Sequence, residues 1–407
     1  MSEKIVGVQD EGGLQGGACT AASRLLSTTD IWSGMPSSLA APQPAPVPPP
    51  PPRPDPILDA PKPVEIVSVA APIARDQGPT RSPPQKWPPR KLSLALQGGG
   101  TFAAFTWGVL ERLLEHPTIE IDTISGASAG AINALLLASG FAEGGREGAR
   151  ARLNRFWIRL MHEASFRSLM LIGGFSPAGS SIAFGPTLRS GHFDPFDLDP
   201  LRQALLRDVN FAALRDANCP KLLIAATRIR DGQQQIFGND TVTADVALAS
   251  TCPPLVHCAV EIDGEAYWDG GFGGNPPLIK LVQQSSATDV LLIQLTPSRD
   301  SYVPITLAAI DRRLDQITAN AALNAEIAAI EWAQSQAMPA LRLSKIAAED
   351  SIDGLAQRSS TDLGRGFIRL LHRSGREAAG RWLGQGTSAG VASPAVQRVA
   401  PAEPALA

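Results

Sequence analysis

The sequence of 407 residues is poor in cysteine, histidine and aromatic side chains, and it has no strong charge of either sign. Its four cysteines are too few and too scattered for a disulfide scaffold. Five residues separate Cys252 from Cys258, rather than the two to four, roughly, that zinc ligands favour, so no zinc site is expected there. With 36 basic and 39 acidic residues, the composition gives no electrostatic case for nucleic acid as the main partner.

Long hydrophobic runs are also missing. The longest, Ala129 to Ala142, has about 14 residues, whereas a membrane-spanning helix needs about 20. The first 30 residues contain no uninterrupted apolar core, which argues against a cleaved Sec signal. We therefore expect a cytoplasmic protein, with secretion by a route other than Sec left open.

Proline, by contrast, is abundant and unevenly spread. Residues 41–90 hold 18 of the 35 prolines, and such a stretch has few backbone donors and little apolar surface to bury. We expect residues 1–90 to be a disordered, Pro-rich tether, although a polyproline ligand for a partner's aromatic groove is the alternative. Residues 384–407 are expected to be a second disordered tail, which leaves one domain over residues 91–383.

Alternating helix and strand patterns begin at Lys91. Leu92, Leu94 and Leu96 have the period of a strand, and the apolar spacing from Phe102 to Leu114 predicts the helix that follows. A second strand over 119–125 leads into a helix over 129–139, and such β-α-β-α order favours a largely parallel sheet. Further strands are expected at 221–229, 234–238 and 289–295, a hairpin at Asp263-Gly264, and a helix over 307–332.

The segment Gly126-Ala127-Ser128-Ala129-Gly130 follows the second strand and begins the second helix. Its glycines allow a sharp turn that exposes the Ser128 hydroxyl, as in a nucleophile elbow. The alternative is a tight strand-helix connection that happens to carry a small polar residue. The strand-turn-helix context favours the nucleophile.

Three glycines, Gly98 to Gly100, follow the first strand. Neither a P-loop nor a dinucleotide-binding pattern is present, so phosphate binding is not favoured. Backbone N–H groups in such a loop can stabilise an oxyanion, which is the role we predict.

The third motif is Trp268-Asp269-Gly270-Gly271, at the end of a strand. By itself it indicates only a turn, but the other two motifs require a base, and Asp269 can serve. The one histidine after Asp269, His372, falls in what looks like an exposed helical turn, and the histidines at 116, 162, 192 and 257 have no recognisable catalytic setting. We therefore predict a Ser-Asp pair rather than a Ser-His-Asp triad.

In this order and spacing, the three motifs resemble those of the patatin-like phospholipase family over residues 91–295. The resemblance implies a three-layer α/β/α fold and a lipid acyl hydrolase that needs no metal or cofactor. It makes Ser128 the nucleophile, Asp269 the base, and Gly98, Gly99 and Gly100 the oxyanion hole. Many members have Arg or Lys just after the glycines, whereas this chain has Thr101-Phe102-Ala103.

Three functions stay open from the sequence. A phospholipase or esterase is favoured; an acyltransferase would use the same acyl-serine; a non-enzymatic scaffold would work through its Pro-rich arm. The apolar stretch 168–185 could contact a lipid interface, and residues 149–163 interleave arginines with apolar side chains. For these two stretches, covering of the core and a solvated helix face are preferred. Substrate class, protein partners and oligomeric state are not encoded in these motifs.

Overall fold

A computed structural model of the chain describes residues 87–162, 199–252, 254, 259–336 and 341–385. The expectations for the Pro-rich segment, the stretch 168–185 and the tail beyond residue 385 lie outside these residues. Eight strands and seven α-helices are present in the described part of the chain. The strands are β1 (Lys91–Leu96), β2 (Glu120–Gly126), β3 (Lys221–Arg228), β4 (Gln234–Phe237), β5 (Val260–Ile262), β6 (Glu265–Asp269), β7 (Asp289–Gln294) and β8 (Arg342–Ala347). The helices are α1 (Ala103–Leu114), α2 (Ala129–His162), α3 (Asp199–Asp208), α4 (Ala244–Ser250), α5 (Leu278–Gln284), α6 (Leu307–Ser335) and α7 (Arg365–Gly384).

The strands form one mixed sheet with a parallel centre. Hydrogen-bonded neighbours follow the order β5-β6-β3-β2-β1-β7-β8, and β4 also pairs with β3. The pairs from β3 through β2, β1 and β7 to β8 are parallel, whereas β4, β5 and β6 join in antiparallel pairs. The predicted, largely parallel sheet is confirmed.

Alternate residues of the central strands enter two different cores, because successive side chains of a strand point to opposite faces. Leu92, Leu94 and Leu96 of β1 pack into the larger core with α1, α2 and α7. Ala95 packs into the smaller core, which α5 and α6 cover. Helices on both faces make the three-layer α/β/α architecture that the sequence predicted.

Several predicted elements are found close to their expected bounds, and the structure adds others. The helix expected over 129–139 continues to His162, although Gly144 and Gly145 leave helical geometry within it. At the predicted hairpin, Asp263 and Gly264 both have positive φ, which matches a two-residue turn between β5 and β6. The helices α3, α4 and α5 and the strand β8 were not predicted, and α7 extends the helical turn that was expected around His372.

Helix α6 has the predicted helical spacing, but its apolar residues divide between two environments. Leu323 and Ile330 are buried against the sheet, with Ile327 packed beside them. A second apolar row is exposed on the outer side of the helix: Leu307, Ile310, Leu314 and Ile317. The spacing therefore predicted the helix correctly without showing which side faces the core.

Candidate active site

Ser128 stands in the sharp turn between β2 and α2. Its φ is 54°, a left-handed conformation that a residue with a side chain rarely adopts, and it is one of two non-glycine residues with positive φ in the described chain. A Cβ on Gly130 would collide with the Leu96 carbonyl oxygen, and one on Gly126 would lie 2.8 Å from the Gly130 backbone. The two glycines thus let α2 begin directly against the ends of the strands, which holds Ser128 at the carboxyl edge of the sheet.

The edge of β3 explains how Ser128 and Asp269 come together. Strand β2 pairs with β3 as far as Gly126, opposite Ile224. Strand β6 pairs with β3 from the other direction, and Asp269 lies opposite Ala226. Strand β4 also pairs with β3 at Ile224 and Ala226, so it occupies the opposite edge of β3. Strands β2 and β6 therefore share the remaining edge. The carboxyl ends of β2 and β6 therefore approach each other end to end.

The last residue of α4 and a residue just after the helix fix the backbone of both residues. The Ser128 N–H donates to the Ser250 carbonyl oxygen at 3.1 Å and to its Oγ at 3.2 Å. The Asp269 N–H donates to the Cys252 carbonyl oxygen at 2.9 Å. Neither bracing residue was singled out by the sequence motifs, because these contacts depend on a helix more than a hundred residues from Ser128.

The Asp269 carboxylate is buried, with 1% of the residue exposed. It accepts a hydrogen bond from the Gly271 N–H at 2.7 Å. Burial raises the pKa of Asp269 to about 7, since the charged form loses hydration, and the Gly271 N–H and the nearby Ser128 side chain offset only part of that effect. Near pH 7, a substantial fraction of Asp269 is ionised, and that fraction can accept a proton.

The Asp-Gly-Gly turn is anchored to β3. Thr227 Oγ1 donates to the Asp269 carbonyl oxygen at 2.8 Å and accepts from the Gly273 N–H at 3.0 Å. A Cβ on Gly270 would collide with the Ala225 carbonyl oxygen, so this position admits only glycine. The turn is consequently rigid where the carboxylate needs a fixed direction.

The three glycines of the loop after β1 do not share one role. The Gly98 N–H donates to Asn275 Oδ1 at 2.6 Å, which removes it from the set of free amides. A Cβ on Gly98 would lie 2.6 Å from Ser128 Cβ, so this glycine permits contact with the elbow. The Gly99 and Gly100 amides have no hydrogen-bond acceptor among the described residues and stay candidates for the oxyanion hole. We predicted that the Gly98 N–H would donate to an oxyanion. Because Asn275 already accepts this N–H, Gly98 is left out of the candidate oxyanion hole.

Buried amide side chains hold this loop from behind. Asn275 joins the loop to the segment after Asp269, and Gln97 Oε1 accepts the Leu295 N–H at 2.7 Å and the Thr296 N–H at 2.9 Å. Gln97 Nε2 in turn donates to Asn320 Oδ1 on α6 at 3.1 Å. These residues were missed by sequence reasoning; the direct adjacency of Gln97 to the glycines and of Asn275 to Gly274 was the only local signal.

His372 is not exposed, contrary to expectation. It lies in α7, stacks on Trp107 with ring centroids 3.7 Å apart, and its Nε2 lies 2.6 Å from Glu111 Oε2. Its contacts are thus with the packing of α1 against α7, and the triad that the sequence disfavoured gains no histidine from this helix.

Residues 150–162 belong to α2, and their apolar side chains are largely buried. Phe156, Trp157 and Leu160 are in the core, whereas Ile158 is exposed. Arg159 forms a buried ion pair with Asp208. The preferred interpretation, covering of the core with a partly solvated face, is confirmed.

The described part of the chain contains neither a metal-binding cluster of side chains nor a membrane-spanning helix. No three His, Cys, Asp or Glu side chains in this part of the chain are grouped to hold a metal ion. None of the helices described is both long and apolar enough to cross a membrane.

Among solved structures, the chain is similar to VipD from Legionella pneumophila, with 14% identity and a TM-score of 0.35. The match covers 74% of this chain and 67% of VipD. It is also similar to the ExoU-SpcU complex of the Pseudomonas aeruginosa type III secretion system, with 15% identity and a TM-score of 0.33. That match covers 74% of this chain but only 52% of the other, so the chain spans about half the length of that relative.

The search of curated proteins gave no match. Residues 94–282 match the family model of the patatin-like phospholipases, and this range includes Ser128, Asp269 and the glycine loop. Over these residues, the chain is similar to the patatin-like phospholipases.

Proposed function

We propose that the chain is a lipid acyl hydrolase that cleaves carboxylic esters, with Ser128 as nucleophile and Asp269 as base. The observation that carries this proposal is the position of the Ser128 side chain beside a buried carboxylate whose pKa is raised to about 7. A base is most effective when its pKa lies near the working pH. The match of residues 94–282 to the patatin-like phospholipase model supports the reaction class.

In the first half-reaction, Asp269 accepts the Ser128 proton as Oγ bonds to the ester carbonyl carbon. The carbonyl π electrons move to oxygen, and the Gly99 and Gly100 amides stabilise that oxyanion. Each such donor contributes a few kcal/mol, roughly, to transition-state stabilisation. The intermediate collapses, the bond to the leaving alcohol breaks, and that oxygen takes the proton from Asp269. The product is an acyl-Ser128 ester.

In the second half-reaction, water replaces the alcohol. Asp269 accepts a proton from the water as its oxygen attacks the acyl carbon, and the same two amides stabilise the second oxyanion. The Ser128 oxygen then leaves and regains the proton from Asp269, which releases the carboxylic acid. No step in this sequence requires a metal ion or a cofactor.

Two substitutions test the proposal. Ser128→Ala and Asp269→Asn should each lower kcat for an activated ester by about a thousandfold or more, since neither leaves a competent nucleophile and base. A fluorophosphonate probe should label the natural chain and not Ser128→Ala. The matched control is Asp231→Asn, because Asp231 is partly exposed and pairs only with Arg228 among the described residues. Full activity in either site variant would refute the Ser-Asp pair.

An acyltransferase is the second candidate, because an alcohol or thiol can replace water in the second half-reaction. Product analysis with acceptor alcohols present separates the two: a hydrolase yields free acid, and an acyltransferase yields a new ester. A scaffold without activity is the third candidate, and failure of the probe to label Ser128 would favour it.

We further propose that residues 91–383 are the hydrolase domain and that residues 1–90 and 384–407 are tethers. The substrate is a lipid or another ester, bound with transient contact to a lipid interface, and the protein works in the cytoplasm unless a secretion route other than Sec exports it. A truncated chain that begins at Trp87 should retain esterase activity; loss of that activity would give the N-terminal segment a role beyond tethering.

A further inference from the structure

Helix α6 is apolar on two opposite sides. Leu323 and Ile330 on its inner side pack in the smaller core. On its outer side, exposed residues recur in steps of three and four, at positions 307, 310, 314, 317, 321, 324, 328 and 331. Only Glu331 in this row is charged. A helix that is apolar all round is ordinarily buried, so the outer side of α6 is expected to be covered by another element.

Exposed apolar side chains are concentrated in the same place. Seven of the eleven large hydrophobic side chains that are exposed in the described part of the chain lie between Tyr302 and Ile317. Tyr302, Val303 and Ile305, in the loop that leads into α6, are 72%, 86% and 90% exposed. Scattered exposed hydrophobic residues are common, whereas a contiguous patch marks an interaction surface.

The spacing of the exposed row indicates the shape of its partner. Alternating steps of three and four average about 3.5 residues, the period that keeps one line of side chains facing a second, packed helix. Asn324 is the one uncharged polar residue in the row. A single Asn within such a seam fixes the register of a helix pair. The row therefore fits a second helix.

The charges of α6 do not suit a lipid surface. Helices that lie on membranes carry exposed Lys or Arg around their apolar side. The two arginines of α6, Arg312 and Arg313, are half-buried, and Arg313 donates to the Ser298 carbonyl oxygen at 3.0 Å. The one fully exposed charge of the helix, Glu331, is negative. A protein surface is therefore favoured as the partner.

The two halves of the outer side differ in side-chain size. Large residues occupy the first half, at 307, 310, 314 and 317, whereas Ala321, Ala325 and Ala328 follow from the middle of the helix onward. A twofold axis near Ala321 would set a second copy of α6 antiparallel to the first. The large side chains of each copy would then lie over the small ones of the other, which lets the two surfaces interdigitate. A parallel pair would set large against large instead.

The surface is also large enough for a stable dimer. Helix α6 has 29 residues, so a strip along its outer side is about 43 Å long and about 10 Å wide. Two such strips bury about 900 Å² in total, and the loop 302–305 brings the area above the roughly 1,000 Å² that a specific interface needs.

We propose that the outer side of α6, together with the loop 302–305, binds the same surface of a second copy of this chain in an antiparallel, twofold-symmetric pair. Such an interface closes on itself, because each copy presents the same patch to the other. The assignment goes beyond the proposed function and does not depend on ester chemistry, so its test requires no activity.

The first test measures the mass of the full-length chain by analytical ultracentrifugation across about a hundredfold range of protein concentration. The natural chain should form a dimer. The double variant Leu314→Glu/Ile317→Glu should raise the dimer dissociation constant by about a hundredfold or more, because pairing would bury carboxylates without partners. The matched control is Ile158→Glu/Leu206→Glu, since these side chains are 43% and 52% exposed against 44% and 53% for Leu314 and Ile317. The control should remain dimeric, and circular dichroism should show both double variants folded.

The second test determines the orientation by disulfide cross-linking under mild oxidation. Ala321→Cys should give a covalent dimer, because residue 321 lies near the proposed axis. Leu307→Cys should not, because the two copies of residue 307 would be about 40 Å apart, far beyond the roughly 7 Å between Cα atoms that a disulfide spans. The natural chain, with its own four cysteines, gives the background. Cross-linking through Leu307→Cys would refute the antiparallel pair.

Every other outcome overturns the proposal. A natural chain that is monomeric at every concentration excludes the pair, and a dimer that survives Leu314→Glu/Ile317→Glu uses a different surface. If the monomeric natural chain sediments with vesicles of phosphatidylglycerol and phosphatidylcholine while this variant does not, a lipid surface is the partner. If the variant instead lowers the melting temperature of a monomeric chain, another segment of the same chain covers α6.

Discussion

The buried Asp269 carboxylate makes the stability of this protein depend on pH in a defined direction. Its pKa is about 7 in the folded chain against an ordinary value of 3.8, so the folded state binds this proton more tightly. The stability contribution of the raised pKa is fully present below pH 3.8 and is lost as the pH rises through 7. At about 1.4 kcal/mol per pKa unit, the ionised carboxylate costs about 4 kcal/mol at pH 8.

Asp269→Asn removes that cost while its amide oxygen still accepts the Gly271 N–H. We therefore expect the free energy of unfolding of the variant, relative to the natural chain, to increase by about 2 to 3 kcal/mol between pH 5 and pH 8. Urea unfolding followed by tryptophan fluorescence at the two pH values measures this difference. The comparison between pH values cancels any constant effect of the amide on packing.

The matched control is Asp231→Asn. Arg228 lowers the pKa of Asp231 to about 2, below the tested range, so the stability difference of this variant should be the same at pH 5 and pH 8. Two results for Asp269→Asn would contradict this reasoning: a stability difference from the natural chain that is the same at both pH values, or one that becomes less favourable at pH 8. Either result would show that Asp269 is not held in a desolvated site. The physical basis for its proposed role as base would then be lost.

Three further predictions concern the same site and its serine turn, and a fourth concerns the packing of Trp87. In the natural chain, kcat/KM for a neutral ester should rise with pH through about 7, because Asp269 must be ionised to accept the proton; a pH-independent rate between 5 and 9 would contradict this. Gly130→Ala should destabilise the chain by more than about 2 kcal/mol in urea unfolding, whereas Gly144→Ala, where a Cβ meets nothing within 4 Å, should change stability by less than about 1 kcal/mol. Asn275→Ala should lower kcat for p-nitrophenyl butyrate by about tenfold or more while the melting temperature changes little, since it frees the loop beside the oxyanion; an unchanged kcat would show that the loop needs no clamp. Trp87→Ala should lower the melting temperature by several degrees, roughly, because the indole donates to the Trp382 carbonyl oxygen at 2.9 Å; no change would leave that anchor without a role in stability.

Two residues that no motif contains support the glycine loop and the serine turn. Asn275 and Ser250 hold the loop and the elbow through hydrogen bonds to Gly98 and Ser128, their partners lying far away in the chain. Such bonds link backbone groups to side chains without any periodic pattern, so only the approach of β6 and α4 to the same sheet edge reveals them. Ser128 and Asp269 were accessible from the sequence because each stands within its own glycine motif.

The exposed side of α6 illustrates the same limit. Helical spacing predicted an apolar stripe, and the sequence offered no means of telling that Leu307 and Ile310 lie on the outer side while Leu323 faces the sheet. Both rows repeat with the same period, so only the position of the helix over the sheet distinguishes them.

The sequence by itself determined the alternation of strands and helices from Lys91, the elbow at Ser128 and the hairpin that presents Asp269. These features are local, because a turn or an amphipathic element is specified by neighbouring residues. Tertiary structure alone decided that β2 and β6 meet on one edge of β3, that Gly98 gives its amide to Asn275, and that Asp269 is desolvated. Each of these depends on contacts between distant segments, and burial, which sets the pKa of the base, exists only once those segments have packed together.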